Sequence, residues 1–148
     1  MLNYLAVNGI LKGKVILLKY YRFTKKYSNR RGIMTVKDAM NVLGARVLVG
    51  EEHLDREVRS ACGSDMMSDV LAFSKDHSIL LTGLCNPQVI RTAEMLDIVC
   101  IIFVRGKKPD ETILEMARER DLVVLETGHR MFSSCGMLYE AGLHGGAV

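Results

Sequence analysis

Three short stretches of this 148-residue chain set anion-binding groups just ahead of residues that can start helices. Thr82 to Asn86 brings a hydroxyl and an amide up to Pro87. Arg105, Lys107 and Lys108 put three cations ahead of Pro109. Glu126 and Thr127 lead into His129. Free N–H groups at a helix start favour anions, so the chemistry implied is recognition of a phosphate or nucleotide. The ordinary alternative is a solvated charged loop. Two more groups are candidates for ligand contact. Asp55-Arg56 reads as a catalytic pair or as a local ion pair fixing a turn. Ser64 and Asp65, followed by Ser68 and Asp69, read as ligand contacts or as the N-cap and solvated face of a helix.

Motifs that would commit the chain to catalysis are missing. There is no GxxxxGK[ST] phosphate cradle, no GxGxxG after a strand, no HExxH and no GxSxG. The four histidines and four cysteines show no metal-ligand spacing and no CxxC pair. No catalytic residue is assigned, and neither a cofactor nor a metal is expected. Free thiols of a reducing cytosol are the reading for Cys62, Cys85, Cys100 and Cys135.

The elements that must position these residues follow from periodicity. Thr-Val-Lys-Asp from Thr35 resembles a capping box, and Val36, Ala39, Met40 and Leu43 form one helix face ended by Gly44. Arg46 to Val49 is a short strand. Leu54-Asp55-Arg56 is a turn, Glu57 to Cys62 has strand character, and Ser64-Asp65 open an apolar helix from Met66 to Phe73. Ile79 to Thr82, Ile98 to Val104 and Leu122 to Leu125 read as buried strands. Asn86-Pro87 and Pro109 start the helices between them, and Arg130 to Glu140 forms a last helix stopped by Gly142. This alternation predicts an α/β domain, layered, with a mostly parallel mixed sheet flanked by helices. In such sheets ligands bind beyond the carboxyl ends of the strands, where the three anion-binding stretches fall.

Asp55-Arg56, a short strand, then Ser64-Asp65-x-x-Ser68-Asp69-Val70, ending in Met137-Leu138-Tyr139-Glu140-Ala141-Gly142, resembles the DRTGG domain family over roughly residues 35–143. That domain occurs as a small stand-alone protein and within some phosphotransacetylases and CBS-type pyrophosphatases. It is also similar to the N-terminal domain of HPr kinase/phosphorylase. This chain carries Arg59-Ser60-Ala61 where the family name leads one to expect Thr-Gly-Gly, so a backbone contact needing glycine is not expected there. The resemblance implies regulation without kinase activity, a homodimer, and action through a partner protein or a small anionic ligand. Met66-Met67 through Phe73 is a candidate contact surface, with core packing as its alternative.

Charge divides the chain in two. Residues 1–33 hold eight Lys or Arg, no Asp or Glu, and four of the five tyrosines. That leaves twelve of the 20 basic residues against all 17 acidic ones downstream, a net −5 for residues 34–148. The basic segment reads as a nucleic-acid arm, a targeting leader, or an over-extended gene start. The last is favoured, because Arg30-Arg31-Gly32-Ile33-Met34 can be encoded by AGG AGG GGN ATH ATG, a bacterial ribosome-binding sequence ahead of a start codon. Nucleic-acid binding through residues 1–33 falls with that reading. No apolar run is long enough for a membrane helix. The expectation is a cytoplasmic regulatory or ligand-sensing domain, spanning residues 34–148, that binds a nucleotide or other phosphorylated small molecule. The alternative is a small enzyme acting on a phosphorylated metabolite at the strand ends.

Overall fold

Four consecutive strands lie side by side in chain order because each is followed by a helix that returns the chain in the same direction. A computed structural model describes residues 34–74 and 77–146; the basic segment 1–33, with the readings that rest on it, lies outside the described residues. β1 (Met34–Thr35) leads into α1 (Val36–Leu43), β2 (Arg46–Val49), a 3-10 turn (Glu51–His53), β3 (Glu57–Val58) and β4 (Ser60–Gly63). Then come α2 (Met67–Phe73), β5 (Ser78–Thr82), α3 (Pro87–Met95), β6 (Cys100–Phe103), α4 (Glu111–Arg118), β7 (Val123–Glu126) and α5 (Met131–Glu140). The main sheet has the order β2-β7-β6-β5-β4; β4 to β7 are parallel and β2 runs antiparallel to β7.

The strands alternate two buried faces. Ile79, Leu81, Cys100, Ile102, Val123 and Leu125 pack with residues of α1 and α5. Leu80, Ile101, Phe103 and Val124 pack with α2, α3 and α4. Strands buried on both sides read as continuous apolar runs, and crossovers of one hand leave their helices on one face. The result is the expected α/β domain, a five-stranded mostly parallel sheet with helices on both faces.

Caps fix where several helices begin. Thr35 and Asp38 form the reciprocal box, with Asp38 N–H donating to Thr35 Oγ1 at 3.2 Å and Thr35 N–H to Asp38 Oδ2 at 3.0 Å. The Asn86 side chain accepts from Gln88 N–H at 2.9 Å, with Pro87 at the first helical position. Three local expectations need correction. The segment from Glu57 to Cys62 is not one strand: Glu57–Val58 pairs with Met34–Thr35 in a separate ribbon, and Ser60–Gly63 joins the main sheet. Between them the exposed Arg59 gives its N–H to the His77 carbonyl. Pro109 does not start the following helix; Asp110 caps it, accepting from Ile113 N–H at 3.0 Å, while Pro109 is buried. Met66, not Ser64 or Asp65, sits at the N-cap of α2, which has no side-chain cap.

Candidate functional site

Asp65 bonds elsewhere. It leaves the loop between β4 and α2 and reaches the carboxyl end of the neighbouring strand. Its Oδ1 accepts the Thr82 hydroxyl at 3.0 Å and the Gly83 N–H at 2.6 Å. Its Oδ2 accepts from the Arg105 guanidinium at 3.2 Å. Thr82 is fully buried, and its hydroxyl also accepts the Leu84 N–H at 3.1 Å, so its orientation is fixed from both sides. Partial burial acts to raise the Asp65 pKa, but the Gly83 N–H, the Thr82 hydroxyl and Arg105 outweigh it. The carboxyl is held below its ordinary value.

Arg105 reaches this cluster because the chain after β6 turns sharply. Arg105 and Gly106 both have left-handed backbones, φ 62 and 64. Their N–H groups donate to the carbonyls of His129 at 2.8 Å and Thr127 at 2.9 Å. A non-glycine residue in this region is uncommon. The turn lays the guanidinium across Gly83 so closely that a Cβ there would come within 1.8 Å of Arg105 Nη2. Lys107 and Lys108 follow, both exposed. Asp65, Thr82, Gly83 and Arg105 therefore form one polar cluster at the carboxyl ends of β5 and β6, with the Asn86-capped start of α3 after the same loop.

Other expected site residues lie elsewhere or are committed to the fold. Glu126 makes an ion pair with Arg46 at 2.8 Å, joining β7 to the antiparallel edge. Thr127 is buried; its hydroxyl donates to the Leu43 carbonyl at 3.2 Å and accepts the His129 N–H at 3.3 Å. Ser64 is bonded within its own loop, accepting the Met66 N–H at 3.0 Å. Asp55 and Arg56 do not form the local ion pair expected of them. Arg56 donates instead to the carbonyl of Asp121, just before β7, at the opposite end of the parallel strands. Asp55-Arg56 and Asp65-Arg105 are thus two separate features, a strand length apart, about 13 Å for four residues.

Open cavities of about 650 Å³ and 590 Å³ lie at that amino end. One is lined by β2, the 3-10 turn and Asp121, the other by Arg56, Arg59, His77, Asp97 and Arg120. Helix carbonyl ends converge there and disfavour an anion, whereas the carboxyl end presents N–H groups. Three arginines, Arg56, Arg59 and Arg120, nevertheless line the second cavity. The thiols offer no ready nucleophile: burial pushes the pKa of Cys62, Cys85, Cys100 and Cys135 up. Among the described residues no group of three or more His, Cys, Asp or Glu could hold a metal ion, and no helix is long and apolar enough to cross a membrane. The residue that sequence reasoning missed is Gly83. Only the approach of Arg105, distant in sequence, gives it a role.

The DRTGG domain model matches residues 38–141. No curated protein matches the sequence. Among solved structures, the fold is similar to the CBS and DRTGG domains of the regulatory region of Clostridium perfringens pyrophosphatase, complexed with its activator, diadenosine tetraphosphate. The likeness has a TM-score of 0.58 at 18% identity and covers 71% of this chain and 46% of that one. This chain spans about half the length of that neighbour.

Proposed function

Given that the chain belongs to the DRTGG domain family, we propose that it is a regulatory, ligand-sensing module rather than an enzyme. It takes up a nucleotide or other phosphorylated small molecule at the carboxyl ends of β5 and β6 and acts through a partner protein. The observation that carries the reading is Arg105, turned by its left-handed backbone so that its guanidinium lies against Gly83, with Lys107 and Lys108 next in the same loop. Three cations next to backbone N–H donors suit a ligand of high negative charge. The fold neighbour, a regulatory region complexed with a dinucleotide activator, supports the same class of ligand. The alternative, an enzyme acting on a phosphorylated metabolite at the strand ends, would need a carboxylate free for catalysis there; Glu126 is paired with Arg46, and Asp65 is bonded to Thr82, Gly83 and Arg105.

The reading extends to a cytoplasmic homodimer. Its contact surface is not the whole segment from Met66 to Phe73, because Met67 and Val70 are buried in the core, while Met66 and Leu71 stand exposed. The test is a thermal-shift screen of the full chain against ATP, ADP, diadenosine tetraphosphate and pyrophosphate. A ligand at a hundred times its dissociation constant stabilises by about 2.7 kcal/mol, a rise of several degrees. That rise is expected to disappear in the double variant Arg105→Ala/Lys107→Ala. An unmoved melting point across the panel would replace the sensor by a protein-interaction module.

A further inference from the structure

We propose that Asp65 is a built-in occupant of the anion site: its carboxylate stands where two oxygens of a phosphoryl group would bind, and the ligand must displace it. The inference rests on the reading that the carboxyl ends of β5 and β6 take up a phosphorylated ligand. Its own support is the donor set. The carboxylate collects a backbone N–H from Gly83, a hydroxyl from Thr82 and a guanidinium from Arg105. These are the three donor types that hold a phosphoryl group in proteins, and they come from two different strand ends. Asp65 itself comes from a third element, the exposed loop after β4. The Asp65 side chain remains 47% exposed, and α2 starts without the side-chain cap this aspartate could supply.

Exchange is favoured by charge. A phosphoryl group brings up to two negative charges where Asp65 brings one, and the exposed Lys107 and Lys108, which follow Arg105 in the same loop and make no bond to Asp65, add positive charge there. Displaced, the carboxylate releases the loop that carries it, two residues ahead of the first residue of α2. Ligand binding is thereby coupled to the β4–α2 loop and to the exposed Met66 and Leu71 on that helix. The device sets a threshold as well. The apparent dissociation constant is the intrinsic one divided by the fraction of molecules whose site is open.

The experiment is isothermal titration of ATP and of pyrophosphate into the full chain and into Asp65→Ala and Asp65→Asn, each checked for an intact melting transition. Removal of an internal competitor tightens binding, so at least about a tenfold lower dissociation constant is expected in the alanine variant. Asp65→Asn, which keeps the shape and one acceptor, falls between it and the wild type. A residue that merely braces the site would give the opposite sign. Wild-type binding that is unchanged or weakened in both variants overturns the inference and leaves the sensor reading standing. No binding by wild type or either variant overturns both. Should Asp65→Ala fail to fold, the asparagine variant decides by the same sign.

Discussion

At the scale of single residues, Asp65 shows how far identical chemistry can be put to different uses. From the sequence, Ser64-Asp65 ahead of an apolar helix reads as a cap, and a carboxylate accepting a backbone N–H is indeed what the structure contains. The N–H, however, belongs to Gly83, across the sheet, and no local pattern tells the two acceptor roles apart. Gly83 was illegible for the same reason, since its need to lack a side chain comes from a guanidinium 22 positions later. The bonding has a pH consequence. The Asp65 carboxyl is held below its ordinary value in the folded state, so its bonds add stability that is present above the unfolded value of about 3.9 and is lost as pH falls through the lower folded value. The melting-point gap between wild type and Asp65→Asn should accordingly be constant from about pH 5 upward and close below pH ~4. A gap that does not narrow as pH falls below ~4 would show that charge on Asp65 has no part in it.

At the scale of elements, the sequence was most readable where cap chemistry and periodicity agree. Asn86-Pro87 and Thr35-x-x-Asp38 start their helices where expected, and the apolar runs of β5, β6 and β7 are strands buried on both faces. It was least readable where two short strands follow each other, because the break at Arg59 depends on which partner each half finds: Met34–Thr35 for one and β5 for the other. Thr35→Ala removes an acceptor from the box and should cost about 1 kcal/mol, read as a lower midpoint in urea. Leu81→Ala opens a void between β5 and the α1/α5 layer, where Leu81 is fully buried, and should cost about 2–5 kcal/mol. Equal effects of the two substitutions would contradict the placement of Leu81 in the core.

At the scale of the whole molecule, the two ends of the parallel strands divide the labour. The amino end fastens the chain through Arg56 and Asp121, and the carboxyl end holds the exposed polar cluster around Asp65. Assembly into a homodimer predicts a sedimenting species of twice 16.5 kDa at micromolar concentration; a monomer at all concentrations would remove dimerisation from the proposal. The position of β2 has a different consequence. Arg46 pairs with Glu126 across 80 residues, and among the described residues β7 is the strand that β2 pairs with in the sheet. Long loops must close before such a contact returns any free energy, so folding rates fall as contacts span more of the chain. A nascent chain emerging from the ribosome can build β4, β5 and β6 in the order they are made. Its first sheet strand must wait, unpaired, until β7 has been synthesised, and the sheet closes only once its last-made strand has met its first.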